Sequence, residues 1–309
     1  MPDNSTVGLV GLGAMGLPMG RRFLAAGNTL VVVPHKNAAP AEELRSMGAR
    51  VAGSPAELRE MCDVVVTSVP DVPQVQDVLF GPGGLVSEEA RGGRATMFID
   101  MSTLNPIAAR EHHARLAEAG MVAVDAPVSG GPARAADGTL TIMVGVEEQH
   151  FEWARSVLEP VGKHIVRVGG PGAGQAVKLV NQLMISVIMV ANAEALTLGV
   201  TAGVPLQTML EVIGTSSGSN YLMREWMPRT LFSGDLTGGF ALDLLQKDLS
   251  AALAWAKDSG VPAFGGALAQ QLYRIEQARG AGRLDYSTVA RIYEEAAGIT
   301  LRLESDSGS

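Results

Sequence analysis

The segment VGLVGLGAMG, Val7 to Gly16, constrains the fold of this chain more than any other. Its first six residues are apolar or glycine, the pattern of a short buried strand, and GLGAMG completes the segment. A helical pattern then runs from Leu17 to about Gly27, where glycine is a natural stop. Strand, glycine turn and helix in that order are the context in which a GxGxxG fingerprint binds a dinucleotide. Gly11 makes the tight turn, Gly13 lets the backbone approach a pyrophosphate, and Gly16 packs helix on strand, with Leu12, Ala14 and Met15 in the same cofactor-binding turn. A second strand, TLVVV (Thr29 to Val33), follows at the right distance.

Alternation continues through the first half. Strand patterns recur at DVVVTSVP (Asp63 to Pro70), TMFIDMST (Thr96 to Thr103) and MVAVDAPVSGG (Met121 to Gly131), with helical runs around 40–47, 55–61, 72–79 and 106–119. Strand and helix in turn imply a parallel, doubly wound sheet. Its ligands lie beyond the carboxyl ends of the strands, so the segments after Val69, Asp100 and Ala126 should line the site, Val69 and Pro70 on the cofactor side. After about residue 168 no alternating strand is evident. Helical stretches recur at 206–213, 221–231, 241–259, 263–278 and 287–297. A length of 309 residues suits two cores. The expected organisation is an α/β Rossmann-like domain over residues 1–166 and an all-α domain over 167–309, joined by a long helix at about 172–203.

The end of the second strand bears on the cofactor, because a carboxylate there accepts hydrogen bonds from the adenine ribose while a cation meets the extra phosphate of NADP. The sequence offers Pro34, His35, Lys36 and Asn37, with no acid and two potential cations. His35 and Lys36 therefore favour NADP, with NAD as the alternative.

GAGQAVKLVNQ, Gly172 to Gln182, opens the long helix with an amine. Lys178, Asn181 and Gln182 stand at i, i+3 and i+4, on one helix face with Cβ atoms about 5–6 Å apart. Residues 183–191 are nearly all apolar on every face, which predicts a helix buried on all sides. A lysine there needs a partner or a task. Asn192 and Glu194 interrupt the apolar run, so it reads as a core helix and not a membrane span.

Charged residues are 18% of the chain and its formal net charge is −8, which disfavours nucleic acid or an anionic membrane as the main partner. A single cysteine, Cys62, excludes an internal disulfide framework. His112, His113, His150 and His164 lack ligand spacing on a recognisable metal scaffold, so no metal is expected. With no basic segment ahead of the first apolar run, there is no signal-peptide pattern, and the expected location is cytoplasmic.

Five motifs in order resemble the β-hydroxyacid dehydrogenase family: GLGAMGLPM at 11–19, DMST at 100–103, DAPVSGGPARAADGTLTIMVG at 125–145, GAGQAVKLVNQ at 172–182 and QKDL at 246–249. The resemblance covers roughly residues 7–298. It implies an NAD(P)-dependent oxidoreductase interconverting a short β-hydroxy acid and its semialdehyde. The segment VPDVPQVQDVLFG (Val69 to Gly81) and the Asn181–Gln182 pair look closest to the tartronate semialdehyde reductase branch. 3-Hydroxyisobutyrate dehydrogenase and the glyoxylate/succinic semialdehyde reductases are alternatives, and a non-catalytic cofactor sensor is the reading from another class.

The matching lysine, Lys178, is implied to be general acid in reduction and general base in oxidation. The chemistry agrees, since reducing a carbonyl by hydride requires a proton donor at oxygen and burial beside an oxidised nicotinamide can lower an ammonium pKa. Ser129, Gly130 and Gly131 are implied to bind the substrate carboxylate, and Thr103 to sit where nicotinamide and substrate meet. Ser102 beside it is read as a possible cap for the helix beginning near Pro106. Asn181 and Gln182 would orient the substrate hydroxyl or the lysine. Phe240 and Asp248 would reach the substrate, and Lys247 the cofactor. The family also implies a homodimer or homotetramer, in part through the helical domain.

Overall fold

The computed structural model describes residues 5–87 and 93–303. The chain forms two compact units, Met1–Lys178 and Leu179–Ser309. The first contains a nine-stranded sheet: β1 (Thr6–Val10), β2 (Thr29–Val33), β3 (Arg50–Val51), β4 (Val64–Thr67), β5 (Met97–Asp100), β6 (Val122–Asp125), β7 (Val128–Ser129), β8 (Leu140–Gly145) and β9 (Gly162–Gly169). The order is β3-β2-β1-β4-β5-β6-β8-β7, with β9 against β8. Strands β1 to β6 pair in parallel, whereas β8 is antiparallel to β6 and β7 and parallel to β9. The sheet is therefore mostly parallel, with a mixed edge that the alternation pattern alone does not resolve.

The helices of this unit are α1 (Gly16–Ala25), α2 (Ala39–Ser46), α3 (Pro55–Met61), α4 (Val72–Phe80), α5 (Pro106–Glu118), α6 (Gly131–Asp137) and α7 (Glu148–Leu158). Local chemistry fixes several starts. Ser54 accepts from the Glu57 amide ahead of α3, Asp71 from the Val72 amide ahead of α4, and Asn105 from the Ile107 amide ahead of α5, each with proline in the first turn. Two apolar layers sandwich the sheet, one built on Leu9, Phe23, Val32, Ile99 and Val144, the other on Val31, Leu58, Val65, Leu79 and Phe98. Alternate residues of each central strand feed opposite layers. The expected strand over 121–131 divides into β6 and β7 around Pro127, which has no N–H to give a ladder.

Helix α8 (Ala173–Thr201) begins in the first unit and continues into the second. The second unit is otherwise α9 (Leu206–Gly214), α10 (Leu242–Asp258), α11 (Phe264–Ala278) and α12 (Arg291–Ala297), with short helical turns between them. Its core gathers Met189, Phe232, Leu245, Tyr273 and Tyr286. The expected helix at 221–231 is a π turn over Leu222–Trp226 followed by a 3-10 turn over Met227–Arg229. Pro228 lacks the N–H that an α ladder needs there.

The expectation that α8 is buried on all sides is not met. Val180, Met184 and Leu198 are exposed along it, and only a third of its most apolar window is buried. That window also has the length and hydropathy of a membrane span, so Asn192 and Glu194 do not interrupt it as expected. Its buried face, Met189, Val190, Ala193 and Leu196, belongs to the helical core. Such a helix is amphipathic by burial but not by composition, because small and apolar residues occupy both faces.

Candidate active site

The glycine turn after β1 has the geometry that a bound pyrophosphate requires. Gly11 has φ +91°, and a Cβ there would run into the Ser68 carbonyl at the end of β4. A Cβ on Gly16 would strike the Gly11 carbonyl, so the first turn of α1 rests directly on the loop. Gly13 is different: its Cβ position meets nothing within 4 Å, and Gly13 and Ala14 are exposed between half-buried Leu12 and Met15. Two glycines thus close the turn on itself while the third leaves a face of bare backbone open, as a dinucleotide site needs. Beyond β2, His35 and Lys36 are exposed and Asn37 accepts from the Ala39 amide to start α2.

The carboxyl ends of β4, β5 and β6 are tied to each other and to the first turn of α8. After β5 the Ser102 amide donates to Asp100 Oδ1 at 2.9 Å, and the Ser102 hydroxyl accepts from the Val69 amide at 3.0 Å. Ser102 therefore does not cap α5, because Asn105 takes that role; it joins the loops that carry Val69–Pro70 and Thr103. Asp125, at the end of β6, is 2% exposed and accepts from the Gly172 and Gln175 amides at 2.8 and 3.0 Å. A carboxylate there meets the unpaired amides and positive end of a helix. His113 Nε2 lies 3.0 Å from Asp125 Oδ1. Gln175, wholly buried, accepts from the Leu104 amide at 2.9 Å and donates to the Ser102 carbonyl at 2.8 Å. Lys178 is buried one helical turn further on.

Ser129 and Gly130 precede α6, where Gly130 has φ +134° and Gly131 +68°. Half-buried, the three residues turn the backbone in a conformation that β-carbons disfavour, which lets amides converge on a small anion. The methylenes of Arg134 lie against Gly130.

In the second unit, Asn181 Nδ2 donates to Gln182 Oε1 at 3.2 Å, and Gln182 Nε2 donates to Asp248 Oδ2 at 2.8 Å. Lys247 Nζ lies 2.9 Å from the other oxygen of Asp248. Both oxygens of this buried carboxylate thus hold neighbouring side chains. Half-buried Phe240 packs edge-on to Tyr286 with centroids 6.2 Å apart, and its amide donates to Asp285 Oδ2 at 2.9 Å. Asp285 is fully buried and also accepts from Trp226 Nε1 and the Ser287 amide, while burial raises its pKa.

Known proteins resemble this chain over nearly its whole length. Residues 6–170 match the NAD-binding domain model of 6-phosphogluconate dehydrogenase, and residues 172–293 match the NAD-binding domain model of NADP-dependent 3-hydroxyisobutyrate dehydrogenase. The chain is 40% identical to 2-(hydroxymethyl)glutarate dehydrogenase of Eubacterium barkeri, over 97% of its length and 99% of the relative. The solved structure of Mycobacterium tuberculosis 3-hydroxyisobutyrate dehydrogenase with L-serine superposes with a TM-score of 0.84 at 33% identity, covering 93% of this chain and 98% of that one. This chain belongs to the β-hydroxyacid dehydrogenase family. The NAD-dependent L-serine dehydrogenase of Pseudomonas aeruginosa is a further relative, 35% identical over 94% of the chain and 99% of its own length.

The protein is thus an NAD(P)-dependent dehydrogenase acting on the CH–OH group of a small β-hydroxy acid. The open backbone at Gly13 fits the cofactor, which when bound supplies or accepts the hydride. Among the described residues no cluster of three or more metal-ligating side chains occurs. Four residues to which motif and spacing assign no role stand out in the dehydrogenase: Asp125, Gln175, Arg134 and Asp285. Gln175 has a legible signal, a carboxamide one turn before the lysine on the same face. The others cannot be found by spacing, since their partners are distant in sequence or, for Arg134, depend on the turn at Gly130.

Proposed function

We propose that the dehydrogenase interconverts a three-carbon β-hydroxy acid bearing a polar group at C2 with its semialdehyde, the tartronate semialdehyde–glycerate pair fitting best, and that it favours NADP(H). In oxidation the Lys178 amine takes the proton from the substrate hydroxyl; in reduction its ammonium returns a proton to the carbonyl oxygen. The amides and hydroxyl of Ser129–Gly131 hold the carboxylate, with Thr103 beside the reacting carbon.

The observation that carries the polar C2 group is the chain Asn181–Gln182–Asp248. It offers an already oriented carboxamide one turn after Lys178, where a methyl substituent would prefer an apolar wall. The preference for NADP rests on exposed His35 and Lys36 and on the lack of a carboxylate directly after β2. A second reading is a larger β-hydroxy acid with a distal carboxylate, favoured by Arg134 beside the Gly130 turn and by the similarity to the 2-(hydroxymethyl)glutarate dehydrogenase of Eubacterium barkeri.

The test is a panel of glycerate, L-serine, 3-hydroxyisobutyrate and 2-(hydroxymethyl)glutarate, each with NADP+ and NAD+. The highest kcat/KM is expected for glycerate with NADP+. A preference for 3-hydroxyisobutyrate sinks the polar C2 group, and one for 2-(hydroxymethyl)glutarate that is lost in Arg134→Ala selects the second reading.

A further inference from the structure

Thr103 lies in the loop that follows β5, and the groups on either side of it are the Ser102 carbonyl and the Leu104 amide. One side chain satisfies both. Gln175 donates to the first at 2.8 Å and accepts from the second at 2.9 Å, and it is itself wholly buried. A carboxamide can do so with one planar group, whereas a carboxylate has no donor and an ammonium no acceptor. The amide of Gln175 is held in turn by Asp125 at 3.0 Å, and Ser102 by its hydroxyl holds the Val69 amide at 3.0 Å. The ends of β4, β5 and β6 therefore converge on one turn of α8. Gly174 permits the approach, because a Cβ there would press on the carbonyls of Met143 and Asp125.

Lys178 is three residues after Gln175, on the same helix face, with Cβ atoms about 5–6 Å apart. Whatever fixes the Gln175 turn fixes the root of the Lys178 side chain relative to Thr103. We infer that Gln175 is a positioning residue for the reaction: its carboxamide sets the register between the Thr103 loop and the Lys178 amine, so that the proton is exchanged at the oxygen of the same carbon that exchanges hydride. The inference rests on Lys178 as the acid/base group. Burial alone would make Gln175 an ordinary packing residue, but one that serves only packing has no reason to bracket a single loop residue from the lysine helix. Misplacement of about 1 Å between reacting groups costs roughly 10²-fold in rate, so a hydrogen-bonded register between two such elements matters for kcat.

The experiment is a double-mutant cycle with Gln175→Ala, Lys178→Ala and the double variant, in the full-length protein. It reads kcat, KM, cofactor affinity by NADPH fluorescence, and the melting temperature. Gln175→Ala is expected to lower kcat by about 10- to 30-fold while cofactor affinity stays within about threefold, and to cost less than about twofold when Lys178 is already alanine. Gln175→Glu provides a second route should the alanine variant fold poorly. It keeps the acceptor for Leu104, loses the donor to Ser102, and sets a carboxylate one turn from the amine, so the pH profile of kcat should move to higher pH. An equal cost of Gln175→Ala in both backgrounds, or an unshifted pH profile in Gln175→Glu, overturns the positioning role. Parent-like turnover in Lys178→Ala would instead overturn the acid/base reading on which it stands.

Discussion

The sheet unit and the helical unit distribute polar and apolar groups in opposite ways. Among the described residues of the sheet unit the most exposed large apolar side chain is Val166, at 50%, and a cluster of buried polar groups lies at the carboxyl ends of strands, where Asp100, Ser102, Asp125 and Gln175 bind backbone amides and carbonyls. The helical unit leaves Phe264 84% exposed, Leu198 73% and Leu268 63%. Its buried polar groups also bind backbone, as Asp285 does with the Phe240 and Ser287 amides, but they add pairs of side chain with side chain, as in the reciprocal carboxamide pair Asn192–Asn220 and in Gln182–Asp248. A parallel sheet ends all its strands together, so loop backbone needs partners there and polar side chains supply them. Helices satisfy their own backbones, which leaves buried side chains to find each other and outer faces free to be apolar.

The largest expected effect falls on the last residue of the sheet unit. Lys178→Ala should lower turnover by about 10²- to 10⁴-fold with cofactor affinity within a few-fold. Steady-state kinetics across pH, beside NADPH titration, check it, and a variant keeping most of its turnover would remove the chemistry from α8.

Next comes acid response, in which the two units should differ in sign. His112, in the sheet unit, is buried with no hydrogen-bond partner at Nε2 among the described residues, and desolvation, with Arg115 and His113 adding, pushes its pKa down to about 4. Its unfolded value is near 6.5, so above that pH it has no effect; as pH falls toward 4 the unfolded chain binds the proton and the native state is destabilised by up to roughly 3 kcal/mol. Asp285, in the helical unit, has its pKa raised above 3.8 by burial. Its folded state takes the proton more readily, so the same descent in pH favours folding there. Hydrogen exchange between pH 7 and 4.5 should show protection falling first in the sheet unit, and His112→Leu should reduce that loss. Equal acid sensitivity in both units would break the contrast.

The apolar faces of the helical unit give the third. Gly265, at the start of α11, packs beside Val187 of α8, which brings Phe264 and Leu268 close to the exposed side of that helix. We propose that these faces join copies of this chain. The double replacement Phe264→Asp with Leu268→Asp should weaken self-association by roughly thirtyfold, about 2 kcal/mol, as read by light scattering over a dilution series. A parent protein that is monomeric at every concentration would discard the idea. The smallest effect belongs to the exposed loop after β2, where replacing His35 and Lys36 by alanine should weaken NADPH by about tenfold and leave NADH unchanged. A loss shared by both cofactors would leave the pair as solvent-facing charges.

Much of the sheet unit is legible in its residues alone, because the rules that shape it are local. The strand of Val7, the glycines at 11, 13 and 16 and the helix after them form one contiguous grammar, and the pattern of TLVVV marks β2 to the residue. The mixed edge of β7, β8 and β9 is not legible in this way, since antiparallel pairing there depends on Pro127 and on where β8 returns. Periodicity, glycine stereochemistry and motif order suffice for the dinucleotide turn, the lysine on a long helix and the two-unit plan. They do not suffice for what α8 buries or for the groups that hold its first turn. An all-apolar helix has no polar face to announce its orientation, so exposure of Met184 and Leu198 has no sequence signature. The contacts of Asp125 with Gly172 and of Gln175 with Ser102 and Leu104 join residues 47, 73 and 71 positions apart, distances at which spacing carries no information and only the packed chain brings donor to acceptor.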